Sequence, residues 1–269
     1  MPGPSAKLPD QAPTLNAPRY IAVEGPIRVG KSTLARFLAE RMHARRVIDC
    51  EDNPFLSDFY QEKRGAAFAA QMYFLMERHR RLRDALSASH QENVTADAGL
   101  PRLAGTRGHS GQFSFPRGTT TGSTVPAEDD AFPGASVISD FLFEKDKVFA
   151  YLNLDNEELK LYERYFERFS AELHAPDLVI YLQAKPDVLQ ERIAKKAAPA
   201  ESRISREYVE SVVQAYEHFF FRYSAADLLI VNTSEIDFVD RNADLQQLLR
   251  RLEQPVKGTQ YFLPLGDRE

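Results

Sequence analysis

The octapeptide Gly25-Pro26-Ile27-Arg28-Val29-Gly30-Lys31-Ser32 constrains this chain more than any other feature. It satisfies G-x-x-x-x-G-K-[ST], in which glycines let the backbone curl so that several N–H groups point inward at phosphate oxygens. The helix that follows adds its positive N-terminal end, the lysine reaches the outer phosphates, and the hydroxyl ligates Mg²⁺. A chance glycine-rich turn would lack the flanking context found here. The apolar run Tyr20-Ile21-Ala22-Val23-Glu24 reads as a buried strand, and Leu34, Phe37, Leu38 and Met42 are spaced as a helix. Gly25 through Ser32, together with Thr33, are therefore candidate contacts for a nucleoside triphosphate. Lys31 is in addition a catalytic candidate.

A second strand, Arg46 to about Cys50, completes a βαβ unit whose default is a parallel sheet. A long helix follows from about Ala66 to Leu86, its buried stripe marked by Phe68, Met72, Leu75 and Leu82. Further strands are expected at Ser136–Ser139, Asp177–Gln183 and Asp227–Val231. Helices alternate with them at about 141–152, 156–173, 186–195, 206–223 and 243–252. The pattern predicts a three-layer α/β fold with a five-stranded parallel sheet, occupying 19–266 as one domain. Residues 1–18 hold five prolines and no hydrophobic period, which predicts a disordered arm. Seven of the thirteen glycines fall between 95 and 136, so that stretch reads as a flexible insertion.

Phosphate-binding loops serve GTPases, motor ATPases and small-molecule kinases alike. No NKxD signature for guanine is present, and Val137-Ile138-Ser139-Asp140 is a weak version of the apolar strand and aspartate of a motor ATPase. The lone Cys50 excludes an intramolecular disulfide, and a net charge of −5 argues against dedicated nucleic-acid binding. No apolar run approaches the roughly 18 residues of a membrane helix, and the first twenty residues lack a signal core, so a cytosolic protein is expected. Between the fourth strand and the helix at Arg206 lies a segment carrying Arg192, Lys195, Lys196 and Arg203. Cations on a mobile segment can close over a transferring phosphoryl group and exclude water, so it reads as a lid. A compact kinase with a basic lid is what remains.

The stretches IAVEGPIRVGKST, DNPFLSDFY, AAQMYFLMERHRRL, SDFLFEKDKVFAY, AYEHFFFRY and DLLIVNTSEIDF resemble the deoxynucleoside kinase family, especially its bacterial purine-type members. The likeness spans about 19–265 apart from the insertion, and includes the lid and the tail VKGTQYFLPLG. It implies transfer of the ATP γ-phosphoryl group to the 5′-hydroxyl of a purine deoxynucleoside or deoxycytidine in nucleotide salvage. It also implies Mg²⁺ as cofactor, and a homodimer formed through the helices after the second and third strands. The family carries a carboxylate at the end of the second strand to accept the hydroxyl proton. Asp49 and Glu51 are both available and share a face if the strand continues; Glu51 is preferred for its type and its place nearer the strand end.

The same resemblance assigns Gln71 to reading the base, with Arg78 seven residues on along the same helix face. Asp146 matches the acid that pairs with that arginine, while Tyr60 and the lid's Glu201 match groups at the sugar 3′-hydroxyl. Ser32 and Asp140 would serve the metal, Arg192 catalysis, and Lys196 and Arg203 the triphosphate. Phe55 and Phe59 either stack on the base or fill core. Three departures stand out, one of them the insertion at 95–136. The family's Asp/Glu-Arg-Ser is replaced by Asp140-Phe141-Leu142, leaving Lys145 or Lys147 as the available substitute cation, and the lid has Ala198 where arginine is common. Two other readings share the layout: a thymidylate-type nucleoside monophosphate kinase, and a degenerate nucleotide-binding protein.

Overall fold

The computed structural model describes residues 20–97, 136–196 and 204–264. The N-terminal arm, residues 98–135 of the expected insertion (95–136) and the lid residues Ala198, Glu201 and Arg203 lie outside the described residues, while 95–97 are helical rather than part of an insertion. Strand β1 (Tyr20–Glu24) is buried throughout and passes through the phosphate loop into α1 (Lys31–Met42). Then come β2 (Arg45–Val47), α2 (Leu56–Tyr60), α3 (Ala66–Asp97) and β3 (Val137–Ser139). A 3-10 turn (Phe143–Lys145) leads into α4 (Asp146–Asn153) and α5 (Asn156–Ser170). The chain closes with β4 (Leu178–Gln183), α6 (Pro186–Lys196), α7 (Arg206–Phe221), β5 (Asp227–Asn232), α8 (Asn242–Leu252) and β6 (Thr259–Phe262).

The strands form one parallel sheet in the order β2-β3-β1-β4-β5-β6. Among the described residues it has six strands, which corrects the expected five. The additional strand, Thr259-Gln260-Tyr261-Phe262, pairs with β5 at the sheet edge and alternates between exposed and half-buried positions. An edge strand of this kind contains no continuous apolar run, so hydrophobic patterning passes over it.

Alternation along β1 builds the two faces of the core. Ile21 and Val23 join Leu34 and Leu38 of α1, Leu189 and Ile193 of α6, and Leu245 and Leu248 of α8. Tyr20 and Ala22 join Leu75 and Leu82 of α3, Tyr162 and Phe166 of α5, and Tyr216 and Phe220 of α7. Helix α5 starts where its sequence says it should: Asp155 accepts from Glu157 N and Glu158 N at 2.9 Å, and the Glu158 carboxylate returns to Asp155 N.

Two local departures position the site. Strand β2 stops at Val47 rather than near Cys50, because Asp140 Oδ1 accepts the Asp49 N–H at 2.6 Å where a ladder carbonyl would otherwise stand. Arg81 of α3 then holds Ile48 O and Asp49 O at 2.8 and 3.1 Å, so the segment is fixed without being sheet. The stretch after it, whose pattern suggests only a loop, contains α2. Asn53 Oδ1 accepts Phe55 N at 2.9 Å while its Nδ2 donates to Ala70 O at 2.9 Å, an Asx turn that starts α2 and ties it to α3.

From β1 the chain moves outward to β2, returns to β3, and crosses to β4 on the far side of β1. Open parallel sheets place their ligand crevice at such a reversal, beyond the carboxyl ends of the strands. Among the described residues no helix is long and apolar enough to cross a membrane.

Candidate active site

The phosphate loop is held by close packing on both sides. Gly25 (φ 152°) and Gly30 (φ 108°) adopt backbone angles that L side chains rarely take. A Cβ at Gly25 would stand 2.3 Å from Leu182 O, and one at Gly30 would stand 2.5 Å from the Phe238 ring. The loop is thus wedged between the end of β4 and the β5–α8 connection. Lys31 Nζ donates to Gly25 O and Pro26 O at 2.8 and 3.0 Å. Burial pushes the Lys31 ammonium down to about 8, and the nearby Lys145 acts in the same direction. Ser32 is exposed on the first turn of α1, and Thr33 is half-buried behind it.

Beside this loop four elements converge on a buried ionic cluster. Asp49 receives a two-pronged contact from α3, Arg78 Nε to Oδ1 at 2.8 Å and Nη2 to Oδ2 at 2.9 Å. Lys145, on the 3-10 turn after β3, donates to Asp49 Oδ2 at 2.9 Å. Burial works against ionisation of Asp49, but Arg78 and Lys145 outweigh it and hold the carboxyl well below the usual carboxylate range. The remaining Arg78 nitrogen, Nη1, donates to Asp146 Oδ1. Asp146 Oδ2 accepts from Gln71 Nε2 and from Tyr162 Oη, each at 2.9 Å. Burial pushes Asp146 upward while Arg78 pulls it back. Aromatic faces enclose the guanidinium, with Phe74 at 4.6 Å and Phe141 at 6.0 Å.

Glu24, fully buried at the end of β1, ties these pieces together. Its carboxylate accepts Gly25 N at 2.7 Å, Leu142 N at 2.7 Å and Tyr216 Oη at 3.0 Å, and lies 3.5 Å from Lys145 Nζ. An acid inside an otherwise apolar strand is the signal that could have flagged it, because buried charges require partners. Tyr162 and Tyr216 gave no such signal, since their spacing is that of an ordinary apolar stripe.

An open cleft brings together Lys31, Asp49, Tyr60, Gln71 and Arg78. Lys145 lines it too, as do the apolar rings of Phe59, Phe74 and Phe149. Asp146 stands behind this wall, fully buried, and reaches the cleft through Gln71 and Arg78. Glu51 is exposed and does not line the cleft. The reason is the early end of β2: once the ladder is broken, residues two apart no longer share a face. Phe55 packs edge-on to Tyr73 at 6.2 Å. Lys147 turns to the Phe166 ring at 4.4 Å, leaving Lys145 as the lysine that faces Asp49.

Other candidates stand apart. Arg192 Nη2 donates to Thr233 O and Ile236 O, both at 2.9 Å, joining α6 to the segment whose Phe238 backs Gly30. Lys195 pairs with Asp240 at 2.5 Å on the surface, and Lys196 is exposed. Asp140 is buried, with Oδ1 engaged by the Asp49 N–H. Among the described residues no group of three or more His, Cys, Asp or Glu side chains is arranged to hold a metal ion.

A phosphate loop that shares a cleft with a half-buried carboxylate held by two cations defines a phosphotransferase of the P-loop kinase class. The chain belongs to the deoxynucleoside kinase family: the family model described as deoxynucleoside kinase matches residues 21–97 and 123–257. The chain is 26% identical to a deoxyguanosine kinase of Bacillus subtilis (strain 168) over 245 residues, covering 89% of this chain and 99% of the relative. It is also 26% identical to a deoxyadenosine kinase of Dictyostelium discoideum over 222 residues, covering 82% and 74% of the two chains. The fold is shared with a deoxyadenosine kinase from M. mycoides solved with bound dATP, at a TM-score of 0.56 and 18% identity, covering 88% of this chain and 100% of that one.

Proposed function

We propose that this protein transfers the γ-phosphoryl group of ATP to the 5′-hydroxyl of a deoxynucleoside, with Asp49 accepting the hydroxyl proton. One observation carries the reading: the Asp49 carboxylate opens into the cleft that also holds Lys31, while Glu51 does not. A carboxylate so strongly stabilised by two cations is a weak base. That is sufficient for phosphoryl transfer, whose loose transition state needs the nucleophile positioned in line more than it needs it deprotonated early. Similarity to proteins named deoxyguanosine and deoxyadenosine kinase supports a purine deoxynucleoside as acceptor.

Gln71 and Arg78 present a base-reading edge. Asp146 takes both the Gln71 amide nitrogen and one Arg78 nitrogen, which orients the Gln71 oxygen as the acceptor offered to the base. Tyr60, with Glu201 of the lid, is assigned to the sugar. Ser32 and Asp140 fit Mg²⁺ in the way small hard cations are bound in kinases, through one or two protein oxygens plus substrate phosphates rather than an all-protein cage. When bound, the ion neutralises charge on the outer phosphates. Lys196 and Arg203 close over the triphosphate, with Arg192 anchoring the lid's first helix.

The same reading includes one catalytic domain over 19–266, interrupted at 95–136 and preceded by the N-terminal arm. It includes a cytosolic salvage role, and a homodimer through α3 and α4, whose exposed Met76, Tyr151 and Leu152 support it. Incubation with ATP and a panel of deoxynucleosides and their 5′-monophosphates tests it. Phosphorylation of at least one deoxynucleoside is expected. Transfer to monophosphates alone would identify a thymidylate-type enzyme instead, and ATP binding without any transfer a degenerate one. A mass measurement in solution tests the dimer.

A further inference from the structure

Phe141 stands at the exit of β3, wholly buried, and places its ring beside Arg78 instead of bringing a cation to the cleft. The positive charge arrives from four residues further on. The 3-10 turn folds Lys145 back so that its ammonium sits between the carboxylates of Asp49 (2.9 Å) and Glu24 (3.5 Å), with only 4% of its side chain exposed. A lysine so thoroughly desolvated is costly unless its partners are fixed, and both partners here are. Glu24 is immobilised by Gly25 N, Leu142 N and Tyr216 Oη, so Lys145 is referenced to the phosphate loop itself. Through that contact it fixes the distance between the loop that holds the donor and the carboxylate that faces the acceptor.

Arg78 cannot perform the same task. Its guanidinium is shared between Asp49 and Asp146, and so answers to the base-reading side of the cleft. Lys145 donates to Asp49 and makes a longer ion pair with Glu24, and its ammonium lines the cleft near enough to Lys31 to disfavour that neighbour's charged form.

We infer that Lys145 is the positioning residue of the transfer step, aligning Asp49 with the phosphate loop in the place where Phe141 supplies no charge. This rests on the reading of Asp49 as proton acceptor. Misplacing a reacting group by about 1 Å costs on the order of 10²-fold in rate. Lys145→Met is therefore expected to lower kcat about 10²-fold while the nucleoside KM moves less than about threefold. Lys145→Arg should recover at least about tenfold of that loss, because charge and reach return. In an Asp49→Asn background the Lys145→Met loss should nearly vanish, as it must for a residue that acts through Asp49.

ATP binding serves as the check that each variant is folded. Should Lys145→Met fail it, Lys145→Gln replaces it: Arg ahead of Gln by about tenfold in kcat supports the inference, and equal rates overturn it. A kcat within threefold of wild type, a loss confined to KM, or an equal loss in the Asp49→Asn background would each overturn it as well. If Asp49→Asn retains full activity, the reading of Asp49 has failed, and that outcome is distinct from the others.

Discussion

The two halves of the cleft are built on different principles. The phosphate half is one contiguous stretch, 25–33, whose shape follows from two glycines and a helix start. The acceptor half is assembled from the end of β2, the middle of α3, the turn after β3 and the start of α4, none of which is a ligand site alone. Backbone geometry makes the first and a network of buried charges makes the second. A backbone site is damaged by sterics at one position. A charge network is damaged by removing any member, because each remaining charge is left buried without its partner.

Variants can break or sharpen this contrast. The largest effect is expected from Asp49→Asn, which should reduce kcat by about 10³-fold with ATP binding retained, as steady-state kinetics and ATP titration would show. Asp146→Asn should strike both substrate binding and stability. Arg78 loses a buried counter-charge, so the nucleoside KM should rise about tenfold and stability in urea should drop by about 3 kcal/mol. Gly30→Ala comes next and acts on the other half only. Its Cβ would meet the Phe238 ring at 2.5 Å in a strained conformation, so the KM for ATP should rise about tenfold while the nucleoside KM holds. The smallest change belongs to Glu51→Gln, which should leave kcat within about twofold, since the residue is exposed. A large loss there with a mild Asp49→Asn would mean that the acceptor half is centred elsewhere.

Legibility in the sequence divides along the same line. The phosphate loop, β1, α1 and the apolar strands β4 and β5 announce themselves by local pattern, and the structure places them within a residue or two of expectation. Gln71, Arg78 and Asp146 were reachable only through resemblance, and their contact across 75 residues of chain is tertiary information. The choice between Asp49 and Glu51 could not be made from spacing. Which of the two lines the cleft follows from the hydrogen bond that the Asp49 N–H donates to Asp140 Oδ1 where the strand ends. Lys145 was one of two candidate lysines until the 3-10 turn separated them, sending Lys147 to Phe166. Strand β6 escaped because a half-wet edge carries no strong pattern.

The Arg78 guanidinium touches both Asp49, which we propose faces the acceptor hydroxyl, and Asp146, which holds the amide nitrogen of Gln71. On the proposed function, selectivity and turnover are linked through this one side chain and are expected to change together. An engineer seeking a new nucleobase preference by altering residues near Asp146 should expect slower turnover as a side effect. Second changes around Arg78 would be needed to restore it, and natural drift in this lineage would face the same restriction.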